Sequence, residues 1–132
     1  MLTETMIRDA ESIKVQLTDA VRDLNLAMER ESQSRRAYAD AKQFYADAEA
    51  EVRFEAIHTV EGKNAEQRAA GVDLALIRER TTGRLAAVWG RMVEAQYEAD
   101  SAKLAFDQMT RRYRAIESAA DLTAAMLKSL SR

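Results

Sequence analysis

Proline and cysteine are both missing from this chain of 132 residues, glycine occurs four times, histidine once, and only eight residues are aromatic. Each scarcity excludes something. Without cysteine there is no disulfide framework and no thiolate zinc site, which suits a reducing compartment. Without proline, and with so little glycine, the chain lacks the turn residues that all-β and α/β folds need at their many reversals. The longest uncharged apolar stretch runs only from Leu85 to Gly90, far short of the roughly 20 residues that span a bilayer. The opening MLTETMIRDAES has no apolar signal-peptide core. The expectation is therefore a cytoplasmic, all-α protein of one domain.

What is abundant is alanine and charge. The net charge is −2, with no basic excess of the kind that marks nucleic-acid binders. Residues 1–61 carry thirteen acids and eight bases, and residues 62–132 carry nine acids and twelve bases. Halves of opposite sign pair readily with each other.

Starting at Met6 and stepping by four and three residues gives Met6, Ala10, Ile13, Leu17 and so on to Val52. Twelve of these fourteen positions are apolar, the spacing of a coiled-coil seam. From Ala20 onward, small residues (Ala20, Ala27, Ser34, Ala41, Ala48) alternate with mostly large ones, as close helix packing requires. The same step runs without interruption from Leu85 to Leu130. Upstream, Ala65, Ala69, Val72 and Leu76 also follow it, but that frame leads to Glu79 and Gly83 and misses Leu85 by two positions. A local kink in one helix near residues 80–84 is expected from this slip.

Between the halves, Gly62 occupies a place where a helix C′ residue turns left-handed. Asn64 and Gln67 match a capping box at the next helix start. The predicted architecture is a long antiparallel two-helix hairpin, with helices over about 3–61 and 65–129 joined by a turn at 62–64. Residue i then faces roughly 125 minus i, which sets Asp40, Asp47, Glu49 and Glu51 against the region of Arg78, Arg80, Arg84 and Arg91.

More apolar residues are present than one seam accommodates. Ile7, Val21, Met28, Phe44, Phe54, Ile57, Trp89, Val93, Tyr97, Leu104, Leu122 and Met126 lie off it, and a widened apolar face marks an interface. Self-association into a homodimer or higher oligomer, most simply a four-helix bundle, is expected, with Val21, Met28, Phe44, Trp89, Val93 and Tyr97 at the contact. Trp89 is read as a packing anchor and Gly90 as room for a neighbouring helix.

Chemistry-bearing patterns are few. Gly62-Lys63 lacks the earlier glycine and the following Ser or Thr of a phosphate-binding loop. Glu55, His58 and Glu61 share one helical face, as in the Glu-x-x-His unit of di-iron bundles, but a solvated histidine near a helix C-terminus is the preferred reading. A lone histidine offers no nucleophile–base set, so no enzyme activity, cofactor or metal is expected. Arg35 and Arg36, placed by the hairpin register close to Trp89 and Arg91, make a candidate basic band with Arg78, Arg80 and Arg84. Such a band would contact phosphates or a protein partner. Intramolecular ion pairing is the competing reading.

The stretch AEAEVRFEAIHTVEGKNAEQRAAGVDLALIRE, a charged alanine-rich helix followed by Gly-Lys-Asn-Ala-Glu-Gln-Arg and a second helix, resembles a family of small helical proteins of tailed bacteriophages and prophages. The resemblance covers residues 40–80. It implies no enzymatic activity and no functional residues, and a place of work beside DNA or DNA-processing proteins. Two expectations follow: a non-enzymatic, self-associating adaptor or scaffold of a phage or prophage, or an accessory nucleic-acid-binding protein using the arginine band.

Overall fold

The computed structural model describes residues 3–131, which form three α-helices and, among the described residues, no strand. Helix α1 spans Glu4–Thr59, α2 Ala65–Thr81 and α3 Ala86–Leu130. Among the described residues no helix is long and apolar enough to cross a membrane.

At the start of α1, the Thr3 hydroxyl accepts the Met6 N–H at 3.2 Å, an N-cap satisfying one of the helix's unpartnered donors. At its other end the helix stops at Thr59, two residues before the expected boundary. The left-handed role expected of Gly62 is not taken up, since no glycine has a positive φ. Steric room explains this glycine instead: a Cβ on Gly62 would stand 3.1 Å from the backbone N of Arg68 and from its Cγ. The following start signal works much as its residue types require. Asn64 is extended and its side chain accepts the Gln67 N–H at 2.8 Å, while Gln67 Oε1 accepts the Lys63 N–H at 2.9 Å. The reciprocal bond reaches one residue further back than in the standard capping box.

The expected kink is corrected to a full break. Helix α2 ends at Thr81 and α3 begins at Ala86, leaving residues 82–85 non-helical. The reason lies in the two-position slip. Insertions of three or four residues turn a helix face by only about 40–60°, which supercoiling absorbs, whereas two extra residues turn it by about 200°. A continuous helix would aim one of its two seams at solvent.

Residues 33–99 make one compact unit, and the segments up to Ser32 and from Asp100 make another. In the first, α1 runs antiparallel to α2 and to the start of α3. Val60 lies against Gly71, Glu49 against Arg80, and Tyr45 against Arg80 and Trp89. The core of this unit gathers Tyr45, Val52, Ala56, Val72, Leu76 and Leu85, with Ala48, Val60, Val88 and Met92 packed on it. In the second unit, Asp23 pairs with Arg112 at 3.2 Å, and Met6 and Asp9 share a small cavity with Thr123, Met126, Leu127 and Leu130.

The break also corrects the register. Arg80 meets Tyr45 as expected, but Trp89 meets the same tyrosine, nine residues further along. Arg112, not Ala102, meets Asp23. All fourteen seam positions of α1 are buried or half-buried, as are those from Leu85 to Leu127, while the off-seam apolar residues are exposed.

Candidate functional site

Chemistry-bearing side chains concentrate around the break between α2 and α3. Its organiser is Glu79. The Glu79 carbonyl accepts the N–H groups of Gly83 at 3.2 Å and Leu85 at 3.0 Å, and its carboxylate accepts the Arg84 N–H at 2.7 Å and Arg84 Nε at 3.3 Å. One residue thus partners the donors of three successive residues that no helix serves. The backbone bond from Arg84, with the guanidinium behind it, holds the Glu79 carboxyl below its ordinary range. Gly83 is the residue this geometry needs, because a Cβ there would sit 2.9 Å from the Glu79 Cα. Arg84 also reaches across to the Glu55 carboxylate.

Beside the break lies a second group. Arg80 Nε donates to the Tyr45 hydroxyl, and its Nη2 stands 3.6 Å from the Glu49 carboxylate, which also takes Arg53 at 3.1 Å. The Arg80 guanidinium lies 5.2 Å from the centre of the Trp89 ring, and that ring meets Tyr45 edge-on at 5.1 Å. Burial would push Glu49 up, but the Tyr45 hydroxyl and the Arg53 and Arg80 cations outweigh it, so its carboxyl titrates lower than usual. Burial, reinforced by Glu49, moves the Tyr45 hydroxyl the other way. Every charge here has an opposite partner. The adjacent groove of about 420 Å³, lined by Lys42, Tyr45, Glu49, Arg53 and Met92 among others, is wide open. Nothing in this arrangement pairs a nucleophile with a base, and its chemical capacity is cohesion of α1, α2 and α3.

The expected band is met in part: Arg91 shares a groove with Gln33, Ser34 and Ala37, on the turn of α1 that carries Arg35 and Arg36. Arg80 and Arg84 are engaged as described. Arg91 lines one shallow groove with Asp40 and Phe44 and another with Glu94 and Glu98, so its neighbours include three acids. Arg35 and Arg36 were expected beside Trp89, but Trp89 stands against Tyr45, nine residues beyond Arg36. Arg78 is exposed on α2. Of the acids expected opposite, Glu49 reaches Arg80, while Asp47 accepts from its own helix neighbour Gln43 at 2.9 Å.

His58 rests edge-on against Phe54, with ring centres 4.6 Å apart, and Glu55 is committed to Arg84. No group of three or more His, Asp or Glu side chains is gathered for a metal ion among the described residues. Gly62, Asn64 and Gln67 stand together at the start of α2.

The candidate contact residues fall into both units. Val21 and Met28 belong to one, and Phe44, Trp89, Val93 and Tyr97 to the other. All six are exposed, from 37% at Trp89 to 72% at Tyr97. Trp89 packs against Tyr45 and Arg80, and a Cβ on Gly90 would meet nothing of this chain within 4 Å. Sequence reasoning passed over Glu79 and the polar end of Tyr45. The only available signal was Tyr45, Glu49 and Arg53 at four-residue steps on one face. Comparison with protein-family models, with characterised proteins and with solved structures finds no match for this chain.

Proposed function

We infer that this chain is a non-enzymatic, self-associating coiled-coil scaffold or adaptor, folded as a long antiparallel helical hairpin whose copies combine into a four-helix bundle. One observation carries the reading: a seam covered from Met6 to Val52 and from Leu85 to Leu127 beside a dozen off-seam apolar side chains that are 37–72% exposed. A soluble helix that serves only its own chain needs a single stripe, so the second set is surplus unless something covers it. A half-exposed Val, Leu or Phe has roughly 1 kcal/mol left to gain from burial, and association costs on the order of 4–15 kcal/mol. Burying most of the twelve therefore supports a complex of modest affinity, detectable at micromolar concentration. Light scattering after size-exclusion chromatography across that range tests it. A mass above one chain that falls on dilution is expected, and a well-folded single chain throughout overturns the reading.

Binding of nucleic acid through the arginines has weaker support, because Arg80 and Arg84 are already paired with Glu49, Glu55 and Glu79. A salt titration with single- and double-stranded DNA separates the two readings. No binding at low salt, or binding unchanged by Arg84→Glu with Arg91→Glu, dismisses this alternative.

A further inference from the structure

The outer face of α3 around Ser118 has a charge order that reads as its own complement when the helix is reversed. Asp107, Arg114, Asp121 and Lys128 follow one another at seven-residue steps with alternating sign, and all four are exposed. Seven residues is nearly two full turns, so they form one line along the helix. None of the four has an ion-pair partner among the described residues, whereas Arg112 on the neighbouring line is paired with Asp23. Next to this line runs a short uncharged stretch bounded by the exposed Arg111: Ser118 with Ala115 three residues before it and Leu122 four after it, the leucine 64% exposed. The seam residues of the same turns, Tyr113, Ile116, Ala120 and Thr123, are half-buried and face the other way.

We propose that a second copy of this chain docks antiparallel on this face, with the two-fold axis passing by Ser118. This rests on the self-association inferred above and assigns a register to one of its contacts, the part of the surplus apolar surface around Leu122. A two-fold axis makes the contact isologous, so each pairing occurs twice. With Ser118 on the axis, Arg114 falls beside Asp121 of the second copy and Asp107 beside its Lys128. In the same register Leu122 enters the space left by the small Ala115 of the second copy, and Ser118 lets the axes approach. A parallel arrangement in the same register sets Asp107 against Asp107 and Arg114 against Arg114. The charge order therefore selects orientation as well as partner, the role that complementary charges play best at an interface.

A charge swap tests the register. Arg114→Asp places an acid against each Asp121 of the other copy and should weaken dimerisation at least tenfold, a change of about 1.4 kcal/mol, by sedimentation equilibrium. The double variant Arg114→Asp with Asp121→Arg restores opposite charges in the homodimer and should recover the wild-type dissociation constant. Because the chain has no cysteine, Ser118→Cys provides a second readout. Mild oxidation should join two copies through this thiol, and a Lys14→Cys control should stay unjoined. If wild type dimerises but the single charge variant leaves the constant unchanged, or the double variant fails to recover it, or the two cysteine variants cross-link alike, the proposed face is wrong and self-association stands. If wild type is a single chain at every concentration, both this proposal and the self-association fail.

Discussion

Two glycines in helical segments should respond to the same substitution with opposite sign. Gly90 lies in α3, where a Cβ would meet nothing within 4 Å. Alanine there relieves the entropic cost of glycine in a helix interior, about 0.5–1 kcal/mol. For a chain of this length the unfolding entropy is roughly 0.28 kcal/mol per kelvin, so Gly90→Ala should raise Tm by about 2–4 °C. Gly71 lies in α2, where the added Cβ would run into Val60 Cγ1, well inside contact distance. Overpacking of this kind costs about 1–3 kcal/mol. Set against the same helix gain, the net is a loss of about 0.5–2 kcal/mol, or a Tm lowered by about 2–7 °C. Removing the methyl should reverse the sign, because the Val60 Cβ stands at an ordinary 3.7 Å. In a Val60→Ala background, Gly71→Ala should therefore stabilise by about 0.5–1 kcal/mol, giving a coupling of about 1–3 kcal/mol in a double-mutant cycle. Thermal unfolding followed by circular dichroism measures all four proteins. A Gly71→Ala protein as stabilised as Gly90→Ala, with no dependence on Val60, refutes the close approach of α1 and α2 at this point.

Other outcomes follow from the break and the turn. Glu79 titrates below its ordinary range because Arg84 binds its charged form. Its contribution is thus present above the usual carboxylate pKa and is lost as pH falls through the lower folded value. Relative to the intrinsic exchange rate at each pH, protection of the Arg84 amide should fall in that acid window, and Glu79→Gln should show the lower protection already at neutral pH; unchanged protection contradicts the role of Glu79. Asn64→Ala should cost about 1 kcal/mol and Asn64→Asp almost nothing, read by urea unfolding, and equal losses for both would contradict the cap. Tyr45→Phe removes the hydroxyl that accepts from Arg80 and should cost about 1–2 kcal/mol. An unaltered midpoint would show that this contact contributes nothing to stability.

The helical class and the seam were legible because periodicity is a property of each helix alone. Met6, Tyr45 and Leu127 sit on the covered side for the same reason they recur at 3.5-residue spacing. The cap at Asn64 was legible because its partner, Gln67, is three residues away. What escaped depends on approach between segments. Gly71 and Gly90 both lie inside helices and differ in what stands across from them, Val60 in the first case and nothing in the second. The slip at Arg80-Thr81-Thr82-Gly83 was visible, but its size, about 200°, had to be weighed to see that a kink could not absorb it. With the break came the shift in register that carries Trp89 to Tyr45, nine residues beyond Arg36. The candidate contact residues were legible as surplus, and their exposure follows from lying off the seam.

The account rests on the claim that this surplus apolar surface is covered by another copy of the chain. Sedimentation equilibrium of the whole protein from low to high micromolar concentration addresses it most directly. A reversible rise from one chain toward two or more, with helicity unchanged, is the predicted result. A single-chain mass at every concentration, in a protein that remains fully helical, would contradict it.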